Sequence, residues 1–332
     1  MEAGSVATSG DRSKLERSPL SGLPDKALRW VLTGLAAAIL LLIAYFFVRL
    51  YSEARPAFAK FGVIGFTFDN NWDVSKDIFG ALPLVVGTLV TAAVSLLIGV
   101  PIAVATAVYL VELCPARLKQ PLTIMVELLA AVPSVVYGLW GVYVLIPKLL
   151  PAEKWFADTF HWIPFIGGGT VAGPNYFIGG LILAIMIIPI VSAISREVMA
   201  TVPVEHKEAA LALGATRWEM IRMAVLPYSR AGISGAAMLG LGRAIGETIA
   251  VTLVIGNAPQ LSGHLFGQGY TLAAVIANEF GEAASDPVHR AALIAAGLVL
   301  FVLTLFVNAL ARWFVLRAEK KGGTRVAEGM AG

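Results

Sequence analysis

Six apolar runs decide what this chain can become. They lie near residues 28–48, 82–111, 122–146, 176–198, 231–256 and 291–314. Each is about as long as the ~20-residue helix that crosses a bilayer core. Lipid offers the backbone no water, so such segments satisfy their own N–H and C=O groups by coiling into helices. Charged residues make up only 14% of the 332 positions, 58% are hydrophobic, and mean hydropathy is +0.78. Soluble domains are closer to about a quarter charged. The expected fold class is therefore all-α, a membrane protein with six transmembrane helices. The second run is overlong and contains Pro101, which predicts a tilt, a kink or a projection beyond the lipid.

The first run is too long for a signal-peptide core, which spans about 7–15 residues, and it follows a polar tail. That tail, residues 1–27, is rich in Ser, Gly and charge and is expected to be disordered. The transmembrane domain then covers 28–316, and a second tail covers 317–332. The net charge of +3 says less than its placement. Lys and Arg concentrate in the two tails and in the segment 196–230, and are sparse in the loops 51–80, 148–175 and 257–287. The positive-inside rule makes the richer side cytosolic, so both termini are expected inside. Trp72, Trp155 and Trp162 of the outer loops suit an interfacial aromatic belt.

A polar segment at about 201–228 interrupts the apolar pattern on the cytosolic side. It reads as helix, glycine turn, helix, proline stop. Pro203 suits the first turn of the first helix. Gly214 suits the left-handed position that ends it. Thr216 and Glu219 have capping-box spacing for the second helix, and Pro227 closes the hairpin. Ala209 and Ala210 leave room for close approach by another surface. Such a hairpin is built to dock a partner; an amphipathic helix resting on lipid is the alternative.

Catalytic chemistry finds little support. There is no G-x-x-x-x-G-K-[ST] loop to cradle a nucleotide. The run Gly240-Leu-Gly242-Arg-Ala-Ile-Gly246 has one residue too many for a dinucleotide fingerprint and lies within an apolar span, not after a strand. His161, His206, His264 and His289 are scattered without metal-ligand spacing, and the single cysteine, Cys114, excludes an internal disulfide. The chain is expected to be no enzyme, and any ATP it uses is hydrolysed by a partner.

Two charges inside the fifth run demand an explanation. Arg243 and Glu247 are four residues apart and would share one face of a continuous helix. Each costs about 2.5–3.5 kcal/mol near the bilayer centre, so they should face a bundle interior or a wet cavity. They are either a structural salt bridge or part of a path for an anion, since a guanidinium matches oxyanion oxygens in bidentate fashion. Glu127 in the third run is a second candidate for that path, and equally a packing residue. Gly242 and Gly246 offer a small face to another helix.

The hairpin resembles the EAA loop of the membrane subunits of bacterial ABC importers. Glu208, Ala209, Ala210, Gly214, Leu226 and Pro227 fall in register with that pattern, while Ala224 stands where the pattern has Ile. The stretch from Gly242-Arg-Ala-Ile-Gly-Glu-Thr to Ile-Gly-Asn257 is similar to the fifth-span signature of PstC-type phosphate permeases. The stretch Ala131-Val-Pro133-Ser-Val-Val-Tyr-Gly138 is similar to their third span. The resemblance implies a type I ABC importer permease fold in a bacterial inner membrane. It implies a PstA-type permease as heterodimer partner, a PstB-type ATPase homodimer that binds ATP and Mg, and a PstS-type phosphate-binding protein outside. No cofactor belongs to this chain itself, and no nucleic acid is a partner. It assigns Arg243 and Glu247 to phosphate passage and the EAA residues to ATPase coupling. A permease for molybdate or sulfate is the alternative, and a proton-coupled secondary carrier a more distant one.

Overall fold

The computed structural model describes residues 23–167 and 169–329. Most of the tail expected to be disordered, residues 1–22, lies outside the described residues; from Leu23 onward the chain is helical. The chain divides into two compact units, residues 1–49 and 50–332. In chain order the elements are α1 (Leu23–Phe61), α2 (Val63–Phe68), β1 (Trp72–Asp73), β2 (Ile78–Phe79), α3 (Leu82–Val108), α4 (Ala116–Ala131), α5 (Ser134–Trp140), α6 (Ile146–Thr159) and α7 (Tyr176–Ala200). There follow α8 (Val204–Ala212), α9 (Arg217–Met220), α10 (Leu226–Gly246), α11 (Ile249–Val254), α12 (Leu272–Glu279) and α13 (Pro287–Gly329).

Five helical stretches among the described residues are long and apolar enough to cross a membrane: Lys26–Phe61, Leu82–Leu113, Ser134–Thr159, Tyr176–Ala200 and Pro287–Trp313. Two of the six expected spans need correction. The run expected at 122–146 breaks at Val132–Pro133, where both residues are extended, and its membrane-length helix starts only at Ser134. Proline drives the residue before it out of the α region, and the apolar average hid that break. The run expected at 231–256 breaks after Gly246, leaving α10 and the short α11.

Proline shapes the other helices differently. Tyr109–Leu113, Gly141–Leu145 and Ile221–Val225 are π-turns, and each is followed two residues later by Pro115, Pro147 or Pro227. A proline cannot donate to the carbonyl four residues back and collides with it. Widening one turn relieves the collision, because the next bond spans five residues. Leu226 N donates to Ile221 O in this way. Pro227 therefore does not stop the helix, contrary to the sequence reading: the path continues through it from Arg217 to Gly246.

Within the second unit, α3, α7 and α10 form the centre, with Leu183, Ile187, Val191, Ala236, Leu241 and Ile245 buried between them. Their approach is close. A Cβ at Gly180 would lie 2.5 Å from the Val94 Cβ and 3.1 Å from the Thr91 carbonyl oxygen. At the end where α3 and α7 begin, β1 and β2 pair antiparallel, with Trp72 opposite Phe79. Trp72 is only 5% exposed and its Nε1 donates to Glu279 Oε2 at 3.1 Å, so it is a packing residue and not part of an interfacial belt. Trp155 and Trp162 are exposed, as that belt would require. At the other end, Val108, Met199, Val202, Met220, Ile221 and Val225 form a smaller apolar core. It seats the polar hairpin on the bundle.

Candidate translocation and coupling sites

The hairpin folds by local rules. α8 ends in a pair of bonds that satisfy its last carbonyls: Gly214 N donates to Leu211 O at 3.0 Å and Ala215 N donates to Ala210 O at 3.2 Å. This is the Schellman arrangement, and it requires the left-handed φ of 85° at Gly214. Two residues on, Thr216 Oγ1 accepts from Glu219 N at 3.3 Å, and Glu219 Oε2 accepts from Thr216 N at 2.7 Å. The expected capping box is complete. Those hydrogen bonds hold the Glu219 carboxyl below its usual range, the Thr216 backbone donor first among them. Pro203 stands at the N-cap, just outside the first turn where the sequence reading put it.

The EAA residues divide by face. Ala210 and Leu226 pack on the small core at the ends of α3 and α7. Glu208, Ala209, Gly214 and Pro227 are exposed. Sequence reasoning missed Leu213, which caps α8 beside the glycine and is 90% exposed. An apolar residue at the tip of a polar loop was a readable signal for it. Between the two arms lies a groove of about 680 Å³ bordered by His206, Ala210, Met223 and Tyr228.

The second site gathers at the broken spans. α5 and α11 run side by side: a Cβ at Gly138 would meet Ala250 Cα at 3.1 Å, and one at Gly141 would meet Val254. Tyr137, Ala250 and Val254 share one apolar cluster. Arg243 occupies the last turn of α10 and is exposed. The hydroxyl of Tyr137, on α5, donates to Leu129 O at 2.8 Å. Glu247 is not on the same helix face. It lies beyond the end of α10 with extended backbone (φ −71°, ψ 133°), and its Oε1 accepts from Ala250 N at 3.4 Å, at the start of α11. Of the two readings the sequence left open for these charges, the Arg243–Glu247 salt bridge does not form; Glu247 caps the start of α11 instead. Among the described residues, Arg243 takes part in no ion pair. Glu127 on α4 is half exposed, and its Oε1 accepts from Arg196 Nη2 on α7 at 2.6 Å. The structure brings Arg243 and Glu247 to one break, and places Glu127 in a separate ion pair.

The sequence model of the family described as "Binding-protein-dependent transport system inner membrane component" matches residues 99–320. The chain belongs to that family. Its matched region takes in both sites, from Gly99 within α3 into α13. Among curated relatives, the phosphate transport system permease protein PstC of Mesorhizobium japonicum is 43% identical over 298 residues, 88% of this chain and 90% of that protein. PstC 2 of Mycobacterium tuberculosis is 44% identical over 282 residues, 83% and 85% of the two chains. PstC of Mycobacterium leprae is 46% identical over 239 residues, 70% and 74%. Among solved structures, a bacterial ABC transporter involved in the import of the acidic polysaccharide alginate aligns with a TM-score of 0.50 at 17% identity. The alignment covers 87% of this chain and 97% of that one. At this identity the likeness is one of fold: that of an ABC importer permease.

Proposed function

We propose that the chain is the PstC-type membrane subunit of an ATP-driven phosphate importer. The observation that carries the substrate is the identity of about two residues in five with PstC permeases across nearly the whole chain. The geometry supplies what that substrate needs. A dehydrated phosphate requires cationic, bidentate donors inside a water-poor path. Arg243, exposed at the break and without an ion-pair partner among the described residues, is that donor. Glu247 orders the neighbouring helix start and repels an anion that overstays. Glu127 borders the path through an exchangeable pair, in which an arriving oxyanion competes with its carboxylate for Arg196.

On this reading both termini are cytosolic, and the six-span topology counts α10 and α11 together as one broken span. The hairpin faces a PstB-type ATPase homodimer that binds ATP and Mg. A PstA-type permease completes the path, and a PstS-type protein delivers phosphate from outside. Glu208, Ala209 and Gly214 present the docking face, and Ala210, Leu226 and Pro227 join it to the bundle. The test is ATP-dependent uptake of labelled phosphate into vesicles holding the assembled complex, with sulfate and molybdate as competitors. Phosphate should be carried and the competitors ignored. Preferential carriage of sulfate or molybdate, or uptake without ATP, overturns the reading.

A further inference from the structure

The first arm of the hairpin is tied to the end of α3 by an ion pair that no sequence motif marks. Lys207 Nζ donates to Glu112 Oε1 at 2.6 Å, joining residues 95 apart. The Glu112 side chain is 8% exposed and that of Lys207 20%. Water and salt therefore screen this pair less than a surface pair. Its neighbours on α8 point the other way: Glu205, His206 and Glu208 are exposed.

The pair matters because α8 has little else to hold it. None of its residues is buried, and Ala210 alone packs, partly covered, against the small core. The second arm is different, for Met220, Ile221 and Val225 are buried in that core. Apolar packing has no preferred direction; a short charge-assisted hydrogen bond fixes both distance and register. Glu112 also sits within the π-turn Tyr109–Leu113, closed by Cys114 N donating to Tyr109 O at 2.8 Å. The α8 helix is thus anchored to the one widened turn of α3, immediately before Pro115.

We propose that Lys207–Glu112 is the strut through which displacement of α8 moves α3, so that the exposed first arm of the hairpin drives a spanning helix directly. This rests on the reading of the hairpin as an ATPase docking surface. Lys207 and Glu112 are positioning residues: they touch neither substrate nor nucleotide.

The test uses the assembled complex with four forms of the chain: wild type, Lys207→Gln, the doubly neutral Lys207→Gln with Glu112→Gln, and the exchanged Lys207→Glu with Glu112→Lys. The doubly neutral form strands no buried charge, so it folds even where the single variant does not. Phosphate imported per ATP hydrolysed should fall about tenfold in both neutralised forms, the size of one lost charge-assisted hydrogen bond, and recover in the exchanged form. A wild-type ratio in the doubly neutral form would show that the pair only holds structure, and would overturn the proposal. Spin labels at Glu205 and Ile102, on a Cys114→Ser background, give a readout that needs no substrate. Their separation should stay fixed on nucleotide binding in the wild type and change in the doubly neutral form. A change in the wild type, or none in the variant, overturns the strut. A wild-type complex that ignores phosphate but keeps this distance behaviour would sink the phosphate reading alone.

Discussion

The hairpin and the broken spans leave opposite things unsatisfied. In the hairpin the turn between the two arms is satisfied locally, by the Schellman bonds at Gly214 and the capping box at Thr216, while Leu213 stands 90% exposed. At the broken spans Tyr137, Ala250 and Val254 pack together, while the Arg243 charge has no ion-pair partner among the described residues. An uncovered apolar knob on a rigid polar turn asks for a protein surface. An unpaired guanidinium among apolar helices asks for an anion. One fold thus carries two invitations of different chemistry, and α3, α7 and α10 connect them.

The largest effect should follow from removing the unpaired charge. Arg243→Gln should lower phosphate uptake by about a hundredfold, the upper range for a charge-assisted bidentate contact. Complex yield by size-exclusion chromatography should be unchanged, because no carboxylate is orphaned. Loss of folded complex would mean that Arg243 has a structural partner, and would erase the contrast between the two regions. Arg243→Lys should recover part of the uptake, since it restores charge without the fork.

Next in size is the exposed knob. Leu213→Asp should weaken ATPase association by about 2 kcal/mol, a typical interface anchor, and leave thermal stability alone because the side chain touches little of its own chain. Unchanged affinity in a pull-down titration would remove Leu213 from the docking face. Smaller again is Gly214→Ala. A Cβ there meets nothing within 4 Å, so the cost is the left-handed backbone alone, about 1 kcal/mol. Hydrogen exchange at Ala215 and Thr216 should quicken by the matching factor, about fivefold, while exchange in α7 stays put. Acceleration in both would show that the hairpin is not a separate local unit.

The smallest effect concerns pH. The Glu219 carboxyl is held below its usual range by the Thr216 donors. Its contribution to the capping box is present above the unfolded carboxylate pKa and is lost as pH falls through the folded value. Protection of the Glu219 and Thr216 amides, with exchange rates corrected for their intrinsic slowing in acid, should therefore drop on acidification below the ordinary Glu range, and Glu219→Gln should abolish that dependence. A dependence that survives Glu219→Gln would assign the titration to another group.

The same contrast explains what the sequence could tell. The hairpin was readable residue by residue because glycine, threonine and glutamate act on their own backbone neighbours. Pro227 was misread because its consequence is settled a turn earlier, by the widening at Ile221–Val225. The broken spans were hidden for the opposite reason. Hydropathy averages over a window, and neither Val132–Pro133 nor Glu247–Thr248 lowers that average enough to show. The spacing of Arg243 and Glu247 suggested a pair only on the assumption of a continuous helix. Lys207–Glu112 had no signal at all, since two unremarkable charges 95 positions apart meet only once α3 and α8 are in place.

The division of labour is tested most directly by one preparation measured two ways. The complex is assembled with wild-type chain, Arg243→Gln or Leu213→Asp, and ATPase retention and labelled phosphate uptake are read on the same vesicles. Arg243→Gln should keep the ATPase and lose uptake, whereas Leu213→Asp should retain less ATPase and lose uptake only in that proportion. An Arg243→Gln complex that still imports phosphate at the wild-type rate would contradict the assignment of the broken spans to the anion path.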